Sequence, residues 1–279
     1  MGITTYEHLW GGCLVGGVIS TILGGILTVQ CDRYFSTFHS DPVGTRMTVA
    51  LVCLLQLIHI TCHPYYIFTE IIENLGVSLT TTLLRPMLHF SSLASTATVQ
   101  LFFIYRLQRT NKSALLTLAL IVLALSQFGA AVNVFSIQLR TVGDMAMQET
   151  TLRSLYLSWL GIEILLDTII AAMMSLSLRR YQTGFRQTNA IINSLTFYAI
   201  GTGVFTSVVA IVILLVFTIN GLHWTLHGFC LPTSGIYSVS LLVNLQSRTH
   251  IKQHTQRAES IHLSRLPKHV QVRLPGLPH

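Results

Sequence analysis

Glu163 and Asp167 stand four residues apart in LSWLGIEILLDTIIAAMM, a stretch with no other charge. That spacing puts both carboxyls on one face of a helix. An Asp at the centre of a membrane helix costs about 2.5 to 3.5 kcal/mol on the insertion scale, which makes each acid a candidate functional group. No Lys or Arg falls within the apolar core of any hydrophobic stretch to neutralise them. They must then carry protons, pair with histidine, or be solvated by a polar cavity. The chemistry open to them is a proton or cation site, or an anchor for a cationic or hydrogen-bonding ligand. The structural alternative is a neutral carboxyl bonded to Gln, Ser or Thr on another helix, locking the bundle. Asp167 is the deeper of the two and the stronger functional candidate.

Histidines form a second constellation. His59 and His63 share one helical face, His223 and His227 share another, and His89 opens a third apolar stretch. With Glu163 they could build a zinc site from His63, His89, His223 and His227, since imidazole and carboxylate suit that metal. Histidines on different helices could also hold haem. Against both, the i, i+4 spacing arises often by chance, and polar histidines near a membrane surface are more often satisfied than ligating, so no cofactor is expected. The candidate ligand pocket is His59, His63, Glu163, Asp167 and His227. Retinal is excluded, because its Schiff base needs a lysine in the last helix and the lysines are Lys112, Lys252 and Lys268. No catalytic residues are assigned: GxSxG, HExxH, P-loop and GxGxxG do not occur in suitable contexts, so nothing argues for an enzyme.

The elements that must position these groups are membrane helices. Of 279 residues, 51% are apolar and 10% charged, against roughly 25% charged in an average soluble domain. Ten acids and seventeen bases cannot cover the surface of a soluble protein of this length. The expected fold is an all-α polytopic bundle of seven spans, receptor-like in helix count: 9–30, 47–69, 87–107, 114–136, 155–178, 194–219 and 222–246, each near the 20 residues a bilayer requires. Residues 1–8 form a short extracellular N-terminus, 9–247 the membrane domain, and 248–279 a basic, disordered tail. The first stretch lacks a basic n-region and is too long for a signal-peptide core, so it reads as a retained span. The seventh is the weakest, holding two histidines and Pro232.

Basic residues settle the orientation, since they gather on the cytosolic side of short loops. With the N-terminus outside, the cytosolic segments hold Arg33, Arg46, Arg106, Arg109, Lys112, Arg179, Arg180 and Arg186. The tail adds Arg248, Lys252, Arg257, Arg265, Lys268 and Arg273. Only Arg85, Arg140 and Arg153 remain outside. The net charge of +7 is thus spread through loops and tail, which fits anionic lipid headgroups and not nucleic acid. The sequon Asn111-Lys112-Ser113 falls on the cytosolic side and should carry no glycan.

Paired glycines at 11–12, 16–17 and 24–25 allow a second helix to come close, as an internal contact in preference to the face of a homo-oligomer. Pro64 and Pro232 are expected to kink the second and seventh helices. Cys13, Cys31, Cys53, Cys62 and Cys230 show no paired spacing in a polar region and read as small buried hydrophobes.

Several segments carry a family resemblance. GGILTVQCDRYFSTFHSDPVGTRMTVALVCLLQLIH covers the first two helices and VQLFFIYRLQR closes the third. LDTIIAAMMSLSLRRYQTGFRQTNAIINSLTFYAIGTGVFTSVVAIVILLVF runs from the fifth to the sixth, and SLLVNLQSR ends the last. Over roughly residues 10–250 the chain resembles a fungal (basidiomycete) seven-transmembrane family of unknown function, the domain-of-unknown-function family 6534 type. The resemblance implies an Asp in the fifth helix, here Asp167, and a TGF-x-x-T signature in the following cytosolic loop, here Thr183, Gly184, Phe185 and Thr188. The family's second helix commonly carries an acid three residues before its histidine, where this chain has Gln56 before His59. The resemblance implies a receptor-like architecture without an established activity. Tyr105-Arg106 has no acidic neighbour and Val243-Asn244-Leu245-Gln246 stands where NPxxY would be, so G-protein coupling is an analogy only.

The expected function is an orphan receptor or sensor that binds a small ligand in the outer half of the bundle, in the plasma membrane by default. The alternatives are a transporter or channel with Asp167 as its proton or cation site, and a metal- or haem-binding membrane protein.

Overall fold

The computed structural model describes residues 3–74, 84–111, 113–140, 149–180, 204–215 and 230–247, with residues 201, 218 and 228 singly between them. The described regular structure is helical. It comprises α1 Ile3–Thr37, α2 Val43–Asn74, α3 Leu84–Asn111, α4 Ala114–Arg140 and α5 Glu149–Arg180, then α6 Val204–Leu215 and α7, residues 233–247.

Short joints fix the order of the first helices. After α1 the chain turns through Phe38–Pro42, where the Tyr34 hydroxyl donates to Asp41 Oδ2 at 2.9 Å. The Pro42 carbonyl then accepts from Thr45 N and Arg46 N, at 3.0 and 3.2 Å, to open α2. Proline is harmless there, because the N–H it lacks would have no partner in a first helical turn. Only residues 112 and 113 separate α3 from α4. Ser113 caps α4, its Oγ accepting from Leu116 N at 3.5 Å and its carbonyl from Thr117 N at 3.2 Å, the role Ser fills well. Joints this short make each helix pair antiparallel neighbours. Contacts run α1 to α2, α2 to α3, α3 to α4 and α4 to α5, and α3 also meets α5.

The bundle is apolar outside and buries polar side chains among its apolar core. On α4 the column Leu115, Leu118, Val122 and Leu125 faces outward, with Leu115 81% exposed, while Thr117, Leu120, Ala124 and Gln127 are buried. On α1, Val15, Val18, Ile22 and Val29 face outward. Gln56, Gln100, Gln127, Glu163, Asp167 and Asn244 are all buried. A water-soluble bundle presents polar side chains on its outer face instead of such apolar columns. The 28 residues of α3 make a rod about 42 Å long at 1.5 Å per residue, beyond the roughly 30 Å of a bilayer core. Among the described residues five helices, α1 to α5, are long and apolar enough to cross a membrane, and the chain is a helical integral membrane protein on that ground.

Glycine sets the approach of α1. A Cβ on Gly16 would lie 1.9 Å from the Gly228 carbonyl oxygen, and one on Gly24 would lie 2.7 Å from Ile60 Cγ2. Both contacts are internal to the chain.

One expectation changes. The cysteines are not uniformly passive: Cys31 of α1 and Cys53 of α2 form a disulfide, and Cys62 and Cys230 are free. The tight α1–α2 turn folds two apolar helices back on each other, so residues 22 apart in sequence become neighbours. Pro232, expected to kink the seventh helix, sits where the helical geometry of Cys230 is interrupted before α7. Leu231 and Pro232 form a turn, and α7 starts on it, with Ile236 N donating to the Pro232 carbonyl at 3.0 Å. Proline is thus used at the start of a helix, where its ring fits. Pro64, by contrast, lies inside a continuous α2.

Candidate functional site

The site begins as a stripe on α5. Tyr156, Trp159, Leu160, Glu163, Asp167 and Ile170 are all buried, and their three- and four-residue spacings put them on one helical face. That face meets α3, α4, α6 and α7 around a cavity of about 60 Å³ open to the centres of water molecules. A water needs about 10 to 15 Å³ by that measure, so the space holds on the order of four to six. The cavity lies in the half of the bundle away from the α1–α2 and α3–α4 turns. Its apolar wall includes Leu160, Ala131 and Ile213, its aromatic wall Phe128, Phe135 and Trp159, and its polar wall His59, Gln100, Gln127 and Glu163.

The two carboxyls occupy different surroundings. Glu163, 4% exposed, is part of the cavity wall. Asp167 lies one turn further along α5 and is not among the lining residues. Between them reaches the Tyr237 hydroxyl of α7, 3.2 Å from Glu163 Oε1 and hydrogen-bonded to Asp167 Oδ2. Thr206 of α6 and Gln100 of α3 also bond Asp167. Gln100 Nε2 donates to Gln127 Oε1 at 3.0 Å. Asp167 therefore joins α3, α5, α6 and α7 in one polar knot, and Glu163 is the member that borders open space. Among the described residues, no Lys or Arg acts on either carboxyl.

The histidines divide as well. His59 lines the cavity, with Nδ1 3.4 Å from the Leu88 carbonyl oxygen and Nε2 3.3 Å from that of Leu231, in the turn before α7. Both ring nitrogens are thus directed at protein carbonyls. His63, one turn along α2, packs against α1: a Cβ on Gly17 would sit 2.1 Å from its Cε1. Its Nε2 is buried without a hydrogen-bond partner among the described residues, and it does not line the cavity. His89 does, and its ring stacks on Phe135 with centroids 4.1 Å apart, Phe135 in turn meeting Trp159 at 5.8 Å.

His223 and His227 lie outside the described residues, as do Thr183, Gly184, Phe185 and Thr188 and the tail bases Arg248, Lys252, Arg257, Arg265, Lys268 and Arg273. Among the described residues no three His, Cys, Asp or Glu side chains gather as a metal site. The structure thus unites His59 with Glu163, links Asp167 to them through Tyr237, and sends His63 elsewhere.

Tyr237, Gln100, Gln127 and Trp159 were not singled out by sequence. Trp159 had a readable signal, four residues before Glu163 on the same stripe. Tyr237 had none, since its partners are 74 and 70 residues away. A second unforeseen contact lies toward the α3–α4 turn, where Arg106 of α3 donates to Asn244 Oδ1 of α7. Tyr237 and Asn244 are seven residues apart, so one face of α7 carries both contacts about 10 Å apart along its axis.

Residues 163–250 match a family described as Family of unknown function (DUF6534). The match begins at Glu163 and spans both carboxyls, Tyr237 and Asn244. Neither the comparison with curated proteins nor that with solved structures finds a match.

Proposed function

We propose that the chain is a seven-span membrane receptor or sensor, N-terminus outside and tail cytosolic, that binds a small ligand in the cavity bordered by His59, Gln127, Trp159 and Glu163. The plasma membrane is the default location. The single observation behind this reading is the cavity itself, a partly open, mainly apolar space into which a few polar groups converge, as ligand sites do. With the α1–α2 and α3–α4 turns on the cytosolic side, the cavity falls in the outer half, where a ligand arrives without crossing the bilayer.

A sensor must also connect occupancy to the far side. Here α7 supports that, since Tyr237 touches the carboxyls at the cavity and Asn244 touches Arg106 near the α3–α4 turn. A ligand that competes for Glu163 would bias the position of Tyr237 and with it the Asn244 contact, the kind of differential interaction an allosteric change requires. The transporter reading is less well supported, because Asp167 is held by Tyr237, Thr206 and Gln100 and does not border the cavity.

The test is a small-molecule screen by thermal stabilisation of the purified protein in nanodiscs, repeated with Ala97→Leu, which extends a side chain into the cavity. Ligands that stabilise the native chain should lose their effect in the variant. Ligands that stabilise both equally bind elsewhere and would remove the basis of the proposal.

A further inference from the structure

We infer that the cavity takes a small organic cation, an ammonium group seated on Glu163 with an apolar body of on the order of four to six non-hydrogen atoms against the aromatic wall. This rests on reading the cavity as a ligand site, and it adds the chemical class.

Three observations carry it. The first is charge. Glu163 and Asp167 lie one turn apart and buried, no Lys or Arg acts on either among the described residues, and a single phenol hydroxyl lies between them. A buried carboxylate needs a compensating partner, and a cation in the cavity is placed to supply it.

The second is hydrogen-bond capacity. His59 directs both ring nitrogens at the Leu88 and Leu231 carbonyls. The Gln100 amide NH2 is committed to Gln127 Oε1 and to Asp167. Glu163, with two oxygens and the Tyr237 hydroxyl as its one donor among the described residues, keeps spare capacity toward the cavity, and a carboxylate only accepts. A ligand that meets Glu163 therefore donates. A charged donor forms a bond roughly twice as strong as a neutral one.

The third is the wall. Trp159 stands one turn from Glu163 on the α5 stripe, and Phe135 packs against it at 5.8 Å between centroids. Aromatic rings attract cations, Trp most of all, so carboxylate and rings bound the same small space.

The experiment uses the full chain in phosphatidylcholine nanodiscs with Trp10→Phe and Trp224→Phe, leaving Trp159 as the sole tryptophan of the original three. Isopentylamine, an ammonium at neutral pH, and isopentanol, its neutral counterpart in shape, are titrated against Trp159 emission. The amine should saturate the signal with affinity about tenfold or more above the alcohol. Glu163→Gln should remove that advantage, bringing the amine to the affinity of the alcohol or below it. If the alcohol binds as tightly as the amine and Glu163→Gln alters neither, the cation inference fails while the cavity reading stands. If neither compound perturbs Trp159 up to about 10 mM, the weak end of specific binding, both fail. Should Glu163→Gln not fold, Trp159→Leu, followed by thermal shift, should weaken the amine more than the alcohol, and equal weakening overturns the inference.

Discussion

Tyr237 of α7 and Asp167 of α5 are joined by a hydrogen bond from the phenol hydroxyl to Oδ2, and the same hydroxyl lies 3.2 Å from Glu163 Oε1. One donor thus serves two acids on adjacent turns of a neighbouring helix, inside a bundle whose outer surface is hydrocarbon-like. Loss of that donor strands Glu163 and leaves Asp167 with only Thr206 and Gln100 among the described residues, which costs about 1 to 3 kcal/mol. Tyr237→Phe keeps the ring and removes only the hydroxyl, so it should lower the thermal midpoint of the purified protein measurably. Asp167→Asn, which retains an oxygen acceptor, should cost less. A Phe variant as stable as the native chain would show that the bond carries no stability.

Gly16 and Gly25 lie on the same helix in opposite circumstances. A methyl on Gly16 meets the Gly228 backbone at 1.9 Å, and one on Gly25 meets nothing within 4 Å. Backbone cannot yield as a flexible side chain can, so Gly16→Ala should destabilise by about 1 to 3 kcal/mol or more through overpacking. Gly25→Ala should be neutral or stabilise by up to about 1 kcal/mol through helix propensity. Parallel thermal unfolding of the two variants checks the pair, and equal effects would contradict the packing of α1 against this segment.

Arg106 and Asn244 give a coupling that a double-mutant cycle can measure. A hydrogen bond to a charged donor contributes about 1.5 to 3 kcal/mol. Arg106→Ala and Asn244→Ala should each destabilise, and the double variant should fall short of their sum by about 1 kcal/mol or more. Strict additivity would mean that α3 and α7 are not joined there.

Asn111 is the last residue of α3, and Ser113 of the same sequon caps α4. In the proposed orientation it also faces the cytosol, so the protein from a eukaryotic host should show no glycosidase-sensitive mass at Asn111. A sequon introduced between residues 75 and 83, on the other side of the membrane in that orientation, should be modified. The reverse pattern would invert the topology.

Much of this architecture could be read along the chain because it depends on local quantities. Hydropathy over about 20 residues identifies a helix that hydrocarbon can surround, and α1 to α5 are such helices. The 3.6-residue period puts Glu163 and Asp167 on one face. The same local reading could not say what that face meets. Glu163 borders a cavity and Asp167 is enclosed in a polar knot, although they are one turn apart. His59 and His63 share a helical face and still diverge, one to the cavity and one to Gly17 of α1. The physical reason is that periodicity fixes which side chains share a stripe, whereas the rotation of each helix about its axis is decided by close packing with its neighbours. In lipid this information is weaker still, since apolar surface gains little by being inside. Small residues and a few polar contacts between helices then set the arrangement. Those contacts, Tyr237 with Asp167, Arg106 with Asn244 and Cys31 with Cys53, join residues 70, 138 and 22 positions apart. Helix and bilayer are written in the local sequence, while the partners of each acid, histidine and cysteine exist only once the helices have packed.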